Sequence, residues 1–309
     1  MIKEAKVPAH IWAIKPEALE ALFALYKTGE INKEAGMFAA RSNRSAGAIG
    51  VLPIYGTISN RGEGGLMELL FGGANTQSLS ESFRQMVRDP KVSTIVLDID
   101  SPGGSVFGVQ ELSDEIFKAR GTKKIIAVAS GMAASAAYWI ATAADELVVS
   151  PSSEVGSIGV FATHQDVSKE AEMMGIKVTL ISAGKYKVEG NPFEPLSDEA
   201  KKAIQDRVDD YYSAFVGSVA RNRGVSVSVV KADFGQGRIV GAKDAVKLGM
   251  ADRVGTLQAV LEKLGASLPG GASGSASSDA VRIEQPNENS ELVGSDDDTR
   301  VRRQRFLGR

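Results

Sequence analysis

The stretch STIVLDIDSPGGS, residues 93–105, carries the pattern that decides the fold. Its first part reads as a buried strand, and a proline and two glycines then turn the chain. Residues 106–120 place their apolar side chains on one helical face, and KIIAVA, residues 124–129, reads as the next strand. Strand, helix and strand in this order predict a βαβ unit. The alternation continues through ELVVS, GSIGVF, the helical QDVSKEAEMMG and the strand KVTLIS, so we predict an α/β domain with largely parallel strands.

Local signals add further boundaries within this domain. Ser78 and Glu81 have the spacing of a capping box, which predicts that a short amphipathic helix begins at Ser78. The glycine-rich NRGEGGLMELLFGGAN before it predicts a flexible surface loop. Ser197 is followed by two acidic residues and predicts the start of a long helix that ends near RNRG.

The two ends of the chain differ in composition from its middle. Residues 1–46 contain KPEALEALFALYKTG, in which Pro16 suits a helix start and Gly29 a helix end, so we predict an N-terminal helical segment. Residues 266–309 begin with ASLPGGASGSASSDA and continue as a polar tract, which predicts a disordered tail. The arginine-rich end of that tail suits either a docking peptide or a solvated terminus, and we favour the latter. The main domain is therefore predicted over residues 47–265.

Composition excludes several classes of site. The 309 residues carry a net charge of −2 from 36 basic and 38 acidic side chains, so no global charge attracts nucleic acid. Cysteine is absent, which removes disulfides and thiolate nucleophiles and favours the cytoplasm. The two histidines, His10 and His164, are too few for a typical metal site, so we expect no metal. Residues 125–144 are uncharged but mostly small, which favours a buried strand and helix over a membrane span. We expect neither a secretory signal nor a membrane anchor.

The SPGG turn and a single serine are the candidate chemical groups. Glycine at a turn that leads into a helix leaves backbone N–H groups free to hold an oxyanion, although such turns also use glycine for steric reasons alone. Downstream, SGMAASAAYWIA places Ser135 where a strand turns into a helix, as a nucleophile would be placed. The competing interpretation is that the small residues of this run serve only tight helix packing.

A serine nucleophile needs a base, and the residues alone leave two choices open. His164 follows a predicted strand and could pair with Ser135. The alternative is Lys185 or Lys187, in SAGKYKVEGNPFEPLS. A lysine base requires its pKa to fall from about 10.4 towards 7–8, which burial can supply.

Four stretches in this order resemble the signal peptide peptidase A (protease IV) family: DIDSPGGS, SGMAASAAYWIATAADELVVSPSSEVGSIGV, AGKYKVEGNPFEPLS and VGAKDAVKLGMADRVG. The match covers about residues 48–260 and is most similar to the branch of phage head maturation proteases. The family fold is similar to that of the Clp protease and crotonase superfamily, built from repeated ββα units. The resemblance therefore implies a serine peptidase domain over residues 47–265.

The resemblance also assigns roles to individual residues. It implies that Ser135 is the nucleophile and Lys187 the general base, with Lys185 only a neighbour and His164 structural or peripheral. The implied oxyanion hole is a backbone N–H of Gly103 or Gly104 together with that of Ala136. Where the family has a glycine-rich ASGG-like run, this chain has AASAA, which adds methyl groups near the substrate; we expect small residues at the cleavage site.

The implied function is a cofactor-free and metal-free Ser/Lys endopeptidase that processes phage capsid or scaffold proteins. Family members form rings or domes, so a homo-oligomer is expected, located in the host cytoplasm and possibly inside a prohead. Self-cleavage is considered in the loop of residues 60–75 and in the tail from Ala266. The alternatives are a Clp-like Ser/His peptidase, crotonase-like acyl-CoA chemistry, and a non-catalytic capsid-binding or scaffold-binding module.

Overall fold

The computed structural model describes residues 11–16, 18, 44–46, 48–60 and 73–266. The strands in these ranges are Ile11–Ile14 (β1), Arg44–Ala46 (β2), Ile49–Tyr55 (β3), Thr57–Ser59 (β4), Gly73–Asn75 (β5), Thr94–Ser101 (β6), Gly103–Ser105 (β7), Lys124–Ala134 (β8), Glu146–Val149 (β9), Glu154–Gly156 (β10), Phe161–Ala162 (β11), Ile239–Gly241 (β12) and Arg253–Val254 (β13). The helices are Thr76–Arg88 (α1), Val109–Ala119 (α2), Ala136–Thr142 (α3), Ser168–Met173 (α4), Asp198–Arg223 (α5), Val227–Asp233 (α6), Ala242–Lys247 (α7) and Leu257–Lys263 (α8), with a 3-10 turn at Gly235–Gly237.

The larger sheet confirms the predicted α/β class. Its order is β12-β10-β8-β6-β3-β2, and β9 pairs with β8 and β13. The pairs β3–β6, β6–β8, β8–β10 and β8–β9 are parallel, whereas β2 and β12 are antiparallel at the two ends. A helix connects β6 to β8, as the βαβ unit predicts.

Both faces of the central strand β6 are buried, as is usual for a parallel strand covered by helices. Ile95, Leu97 and Ile99 face a core that includes side chains of α1, α2, α3 and α5. Val96 faces the opposite side, where it packs with residues of α8. The alternation of β6 between two cores explains why its sequence is apolar with little interruption.

A second, smaller sheet has the order β11-β1-β7-β4-β5. Its middle strand β7 consists of the glycines of the SPGG turn and Ser105. β1 lies between β11 and β7 and is antiparallel to both. Residues 11–14 and 44–46, which fall in the predicted N-terminal helical segment, are therefore strands that pair with the main domain.

Three predictions fall outside the residues that the structure describes. They are the helix predicted from Pro16, the loop over residues 61–72 and the tail after residue 266.

Residues 177–182, predicted as the strand KVTLIS, form no strand, so this prediction was wrong. A strand needs a neighbour that accepts and donates its backbone hydrogen bonds, and this stretch pairs with no strand among the described residues. Its apolar side chains are exposed together with those just before and after it. The exposed members are Met173, Met174, Ile176, Val178, Leu180, Ile181 and Tyr186. We call residues 173–186 the apolar arm.

The start of α1 also differs from the prediction. The side chain of Asn75 accepts hydrogen bonds from the N–H groups of Gln77 and Ser78, at 3.0 and 3.1 Å, and so caps the helix. Ser78 therefore lies inside α1, and the predicted capping box was wrong. The prediction for α5 is confirmed, because the Ser197 hydroxyl accepts the N–H of Ala200.

Candidate active site

Ser135 lies between the last residue of β8 and the first residue of α3. Its backbone has φ 55° and ψ −120°, a conformation that non-glycine residues rarely adopt. Two hydrogen bonds hold it there: its N–H donates to the Gly156 carbonyl at 2.7 Å, and its carbonyl accepts the N–H of Trp139 at 3.0 Å. Strained backbone of this kind persists where surrounding contacts over-determine it, and it concentrates at functional sites.

The hydroxyl of Ser135 is buried without a hydrogen-bond partner among the described residues. The residue is 1% exposed. Most buried hydroxyl groups in folded proteins have a partner, and leaving one unpaired costs about 1–3 kcal/mol. The position is therefore poorly explained by packing alone, which was the competing interpretation of this run.

The SPGG turn lies directly against Ser135. Gly103 has φ +97°, and a methyl group built on it would overlap the carbonyl oxygen of Ala13 and lie 2.9 Å from Cβ of Ser135. A methyl group on Gly104 would overlap the carbonyl oxygen of Ile58. Both positions therefore exclude any side chain, so glycine is required here for close approach as well as for the turn.

The two glycine N–H groups are not equivalent. The N–H of Gly103 donates to the hydroxyl of Ser101 at 3.2 Å. Gly104 lies one residue further along β7, in the strand that pairs with β1 on one side and with β4 on the other. Ala136, whose N–H completes the predicted oxyanion hole, is the first residue of α3, and such N–H groups have no acceptor within their own helix.

The helix that follows Ser135 is fixed on several sides. The Tyr138 hydroxyl donates to the Met250 carbonyl at 2.8 Å, and burial raises the pKa of this tyrosine. The ring of Trp139 stacks on that of Phe215 from α5, with a centroid distance of 4.6 Å. At the other end of α3, the Arg120 guanidinium donates to the carbonyl groups of residues 142–144. Rigid support of this kind keeps a reactive side chain in one geometry.

Neither candidate base is hydrogen-bonded to the Ser135 hydroxyl within the single chain. The Lys187 side chain is exposed, in a turn just after the apolar arm. The Lys185 ammonium donates to the Tyr186 hydroxyl at 2.7 Å and to Glu199 at 3.0 Å, and these two hydrogen bonds raise its pKa. Nε2 of His164 lies 3.1 Å from the Asn191 carbonyl oxygen. The structure thus brings Gly103, Gly104, Ala136 and Ser135 together but leaves Lys187 outside this group.

Two contributors to the site were not predicted from the sequence. Gly156 supplies the carbonyl that holds the Ser135 N–H, and Ala13 places its carbonyl beside Gly103. The run IWAI, residues 11–14, is rich in β-branched and aromatic residues and is typical of a strand. That signal could have separated β1 from the helical pattern that follows Pro16.

Comparison with known proteins identifies the domain that surrounds this site. Residues 118–268 match the model of Peptidase family S49. The chain carries a peptidase family S49 domain. This domain includes Ser135, all of α3 and Lys187, whereas the SPGG turn precedes the matched range. The prediction of a signal peptide peptidase A type of domain is therefore confirmed.

Relatives of the S49 domain include phage and bacterial proteins. The chain is 32% identical over 237 residues to the capsid assembly protease C of Escherichia phage lambda, which covers 77% of this chain and 52% of the relative. It is 28% identical over 240 residues to a putative signal peptide peptidase SppA of Enterococcus faecium, covering 77% of this chain and 68% of the relative. The chain thus spans about half the length of the phage lambda relative.

Among solved structures, a mutant of the 1510-N membrane-bound stomatin-specific protease aligns with a TM-score of 0.43 at 14% identity, covering 71% of this chain and 86% of the other. No helix within the described ranges has both the length and the apolar character needed to cross a membrane.

Proposed function

We propose that this chain is a serine endopeptidase in which Ser135 is the nucleophile and Lys187 the general base. The observation that carries the proposal is the Ser135 hydroxyl, which is buried, unpartnered and held in a strained turn against the SPGG backbone. The S49 domain around it supports a peptidase activity. Packing alone does not explain a hydroxyl group in this position, whereas nucleophilic attack on a peptide carbonyl does.

The reaction follows from the groups around Ser135. The hydroxyl oxygen attacks the substrate carbonyl while the base removes its proton, and the resulting oxyanion accepts hydrogen bonds from backbone N–H groups. Because Gly103 already donates to Ser101, the N–H of Gly104 is the better donor to pair with that of Ala136. The base then protonates the leaving amine, and water hydrolyses the ester to free Ser135.

Lys187 requires a partner surface to act as this base. Only its neutral amine accepts a proton, and the neutral form is favoured by removal from water. In the single chain the side chain is exposed, directly after the apolar arm. An exposed apolar stretch of this size marks a protein interaction site. We therefore infer a homo-oligomer in which a second copy covers the apolar arm, desolvates Lys187 and completes the dyad.

The substrate class we propose is a capsid or scaffold protein of a phage, processed in the host cytoplasm or within a prohead. The similarity to a relative that is named a capsid assembly protease supports this choice. Small residues are favoured beside the scissile bond, because the glycine backbone of the turn lies against Ser135 and two alanines follow it at the start of α3.

The test is co-expression of the chain with a candidate capsid or scaffold protein, read by intact mass. We expect defined fragments with the wild type and none with Ser135→Ala. A fluorophosphonate probe should label Ser135 of the assembled wild type. An assembled wild type that neither labels nor cleaves would instead identify a non-catalytic binding module of the same fold.

A further inference from the structure

The strand β1 fills a gap in the smaller sheet that suits an extended peptide. On one side it pairs antiparallel with β7, where Trp12, Ala13 and Ile14 lie opposite Ser105, Gly104 and Gly103. On the other side Ile11 and Trp12 lie opposite Ala162 and Phe161 of β11. Without β1, the glycine strand beside Ser135 and the strand β11 would present two open edges to each other. Open edges of this kind bind extended peptides by adding a strand.

The hydrogen-bond pattern fixes how β1 is aligned with the SPGG turn. The N–H of Lys15 donates to the Pro102 carbonyl at 3.0 Å. In an antiparallel ladder this bond makes Ile14 and Gly103 a pair without direct hydrogen bonds, so that Ala13 and Gly104 form the neighbouring hydrogen-bonded pair. The N–H of Gly104 therefore faces the carbonyl oxygen of Ala13. This N–H is the one assigned above to the oxyanion hole.

The same carbonyl lies beside the nucleophile. The Ala13 carbonyl oxygen overlaps the point where a methyl group on Gly103 would sit, and Cβ of Ser135 lies 2.9 Å from that same point. Ala13 and Ser135 are both almost completely buried. The bond from the Ala13 carbonyl carbon to the Ile14 nitrogen is therefore the peptide bond of β1 that these contacts place beside Ser135.

We propose that β1 is an internal substrate and that Ser135 cleaves the bond between Ala13 and Ile14. The proposal rests on the proposed peptidase function. It adds a cleavage site in the N-terminal region to the two regions considered from the sequence, residues 60–75 and the tail. Ala13 also supplies the small residue that the surroundings of Ser135 favour at this position.

The chemical step balances with groups already named and with water. The Ser135 oxygen forms an ester with the Ala13 carbonyl carbon, and the bond from that carbon to the Ile14 nitrogen breaks. The serine proton passes through Lys187 to the Ile14 nitrogen, which leaves as a new amino terminus. Water then hydrolyses the ester, which leaves a carboxylate on Ala13 and restores the Ser135 hydroxyl.

Cleavage would also open the site. While β1 is in place, its backbone occupies the edge of β7 that another substrate needs. After the cut, Ile11–Ala13 is held by only a few ladder hydrogen bonds and is free to exchange with a substrate in solution. The intact chain should therefore cleave other proteins more slowly than the processed chain.

The experiment measures intact mass and the amino terminus of the full chain after assembly. We expect the wild type to lose everything before Ile14 and Ser135→Ala to keep it. The Ala13→Ser variant should still be processed, because serine is also a small residue. The Ala13→Arg variant should not be processed, because arginine is large. Urea unfolding and particle mass serve as the folding controls for Ala13→Arg, and both should match those of the wild type, because the uncut β1 still covers Ser135 in this variant.

A second experiment adds the peptide KVPAHIWAIKPEAL, residues 6–19, to the processed wild type. We expect one cut, between the alanine and isoleucine that correspond to Ala13 and Ile14, and none when that alanine is replaced by arginine. An enzyme that cleaves a capsid or scaffold protein but leaves both its own amino terminus and this peptide intact overturns the inference and preserves the proposed function. An enzyme that neither labels nor cleaves anything overturns both.

Discussion

Cα of Gly103 and Cβ of Ser135 are so close that no side chain fits between them: a methyl group on Gly103 would lie 2.9 Å from Cβ of the serine. The turn after β6 and the turn after the neighbouring strand β8 therefore act as one unit, in which the position of the serine depends on the absence of a side chain at Gly103. This contact between the two turns leads to the first prediction.

Gly103→Ala should lower kcat/KM by at least about 100-fold, because displacing a reacting group by about 1 Å has a cost of this size. The matched control is Gly121→Ala, since Gly121 also has positive φ, +83°, but has open space around its Cα. Peptide cleavage by the two variants at equal concentration provides the measurement. Equal activities would show that strain in the backbone, rather than contact with Ser135, matters at these glycines.

Lys187→Arg should be as inactive as Lys187→Ala, with a loss of about 10²–10⁴-fold in kcat, because arginine keeps its charge and cannot accept the serine proton. Lys185→Arg is the matched control in the same turn, and it should stay within about threefold of the wild type, because its ammonium already binds Glu199. If Lys187→Arg retained activity while His164→Ala lost it, a Ser/His pair would replace the proposed dyad.

Ile181→Asp should break the oligomer, because Ile181 is 96% exposed at the centre of the exposed apolar residues of the arm. Placing a carboxylate in an apolar interface requires its desolvation, so we expect the particle mass to fall towards that of one chain and cleavage to fall with it. Leu248→Asp is the control, since Leu248 is a large apolar residue that is 42% exposed elsewhere. Light scattering after gel filtration measures both. The same mass for all three proteins would show that the arm is not an assembly surface.

Asp252→Asn should weaken the fold in a pH-dependent way. Burial opposes ionisation of Asp252, but hydrogen bonds from Arg223 and from the N–H of Leu147, with the arginine charge, outweigh it and lower its pKa. A carboxylate whose pKa is lowered on folding stabilises the fold above about pH 4, and this stabilisation is lost as the pH falls through the folded-state value. We expect a loss of about 1–2 kcal/mol in the free energy of unfolding at pH 7, because the side chain is partly solvated.

Urea unfolding at pH 7 and at pH 3.5 tests the direction of this pH dependence. The difference between the wild type and Asp252→Asn should shrink at the lower pH. Asp244→Asn is the control, because its ion pair with Lys247 is exposed and should contribute less than about 0.5 kcal/mol. A difference that stays constant with pH would assign the effect to packing rather than to charge.

Local patterns predicted much of the fold, for reasons visible in single elements. The apolar run of β6 is buried on both faces, and the cap at Ser197 depends on residues within one turn of it. Prediction failed where the outcome depends on distant partners. The stretch 177–182 alternates like a strand, yet among the described residues it pairs with no strand of either sheet.

For the candidate site, the types of residue and the order of the motifs along the chain were the basis of the prediction. The sequence by itself determined the α/β alternation and the S49 type of domain, because periodicity and motif order are local properties of the chain. It also named Ser135 as the predicted nucleophile, through its resemblance to the family. Only the tertiary structure decided that Gly103 packs against Ser135, that the serine hydroxyl is buried without a hydrogen-bond partner among the described residues, and that β1 lies along β7 with the Ala13 carbonyl beside Gly103. These relations join residues far apart in the chain, and their geometry is set by sheet register and close packing.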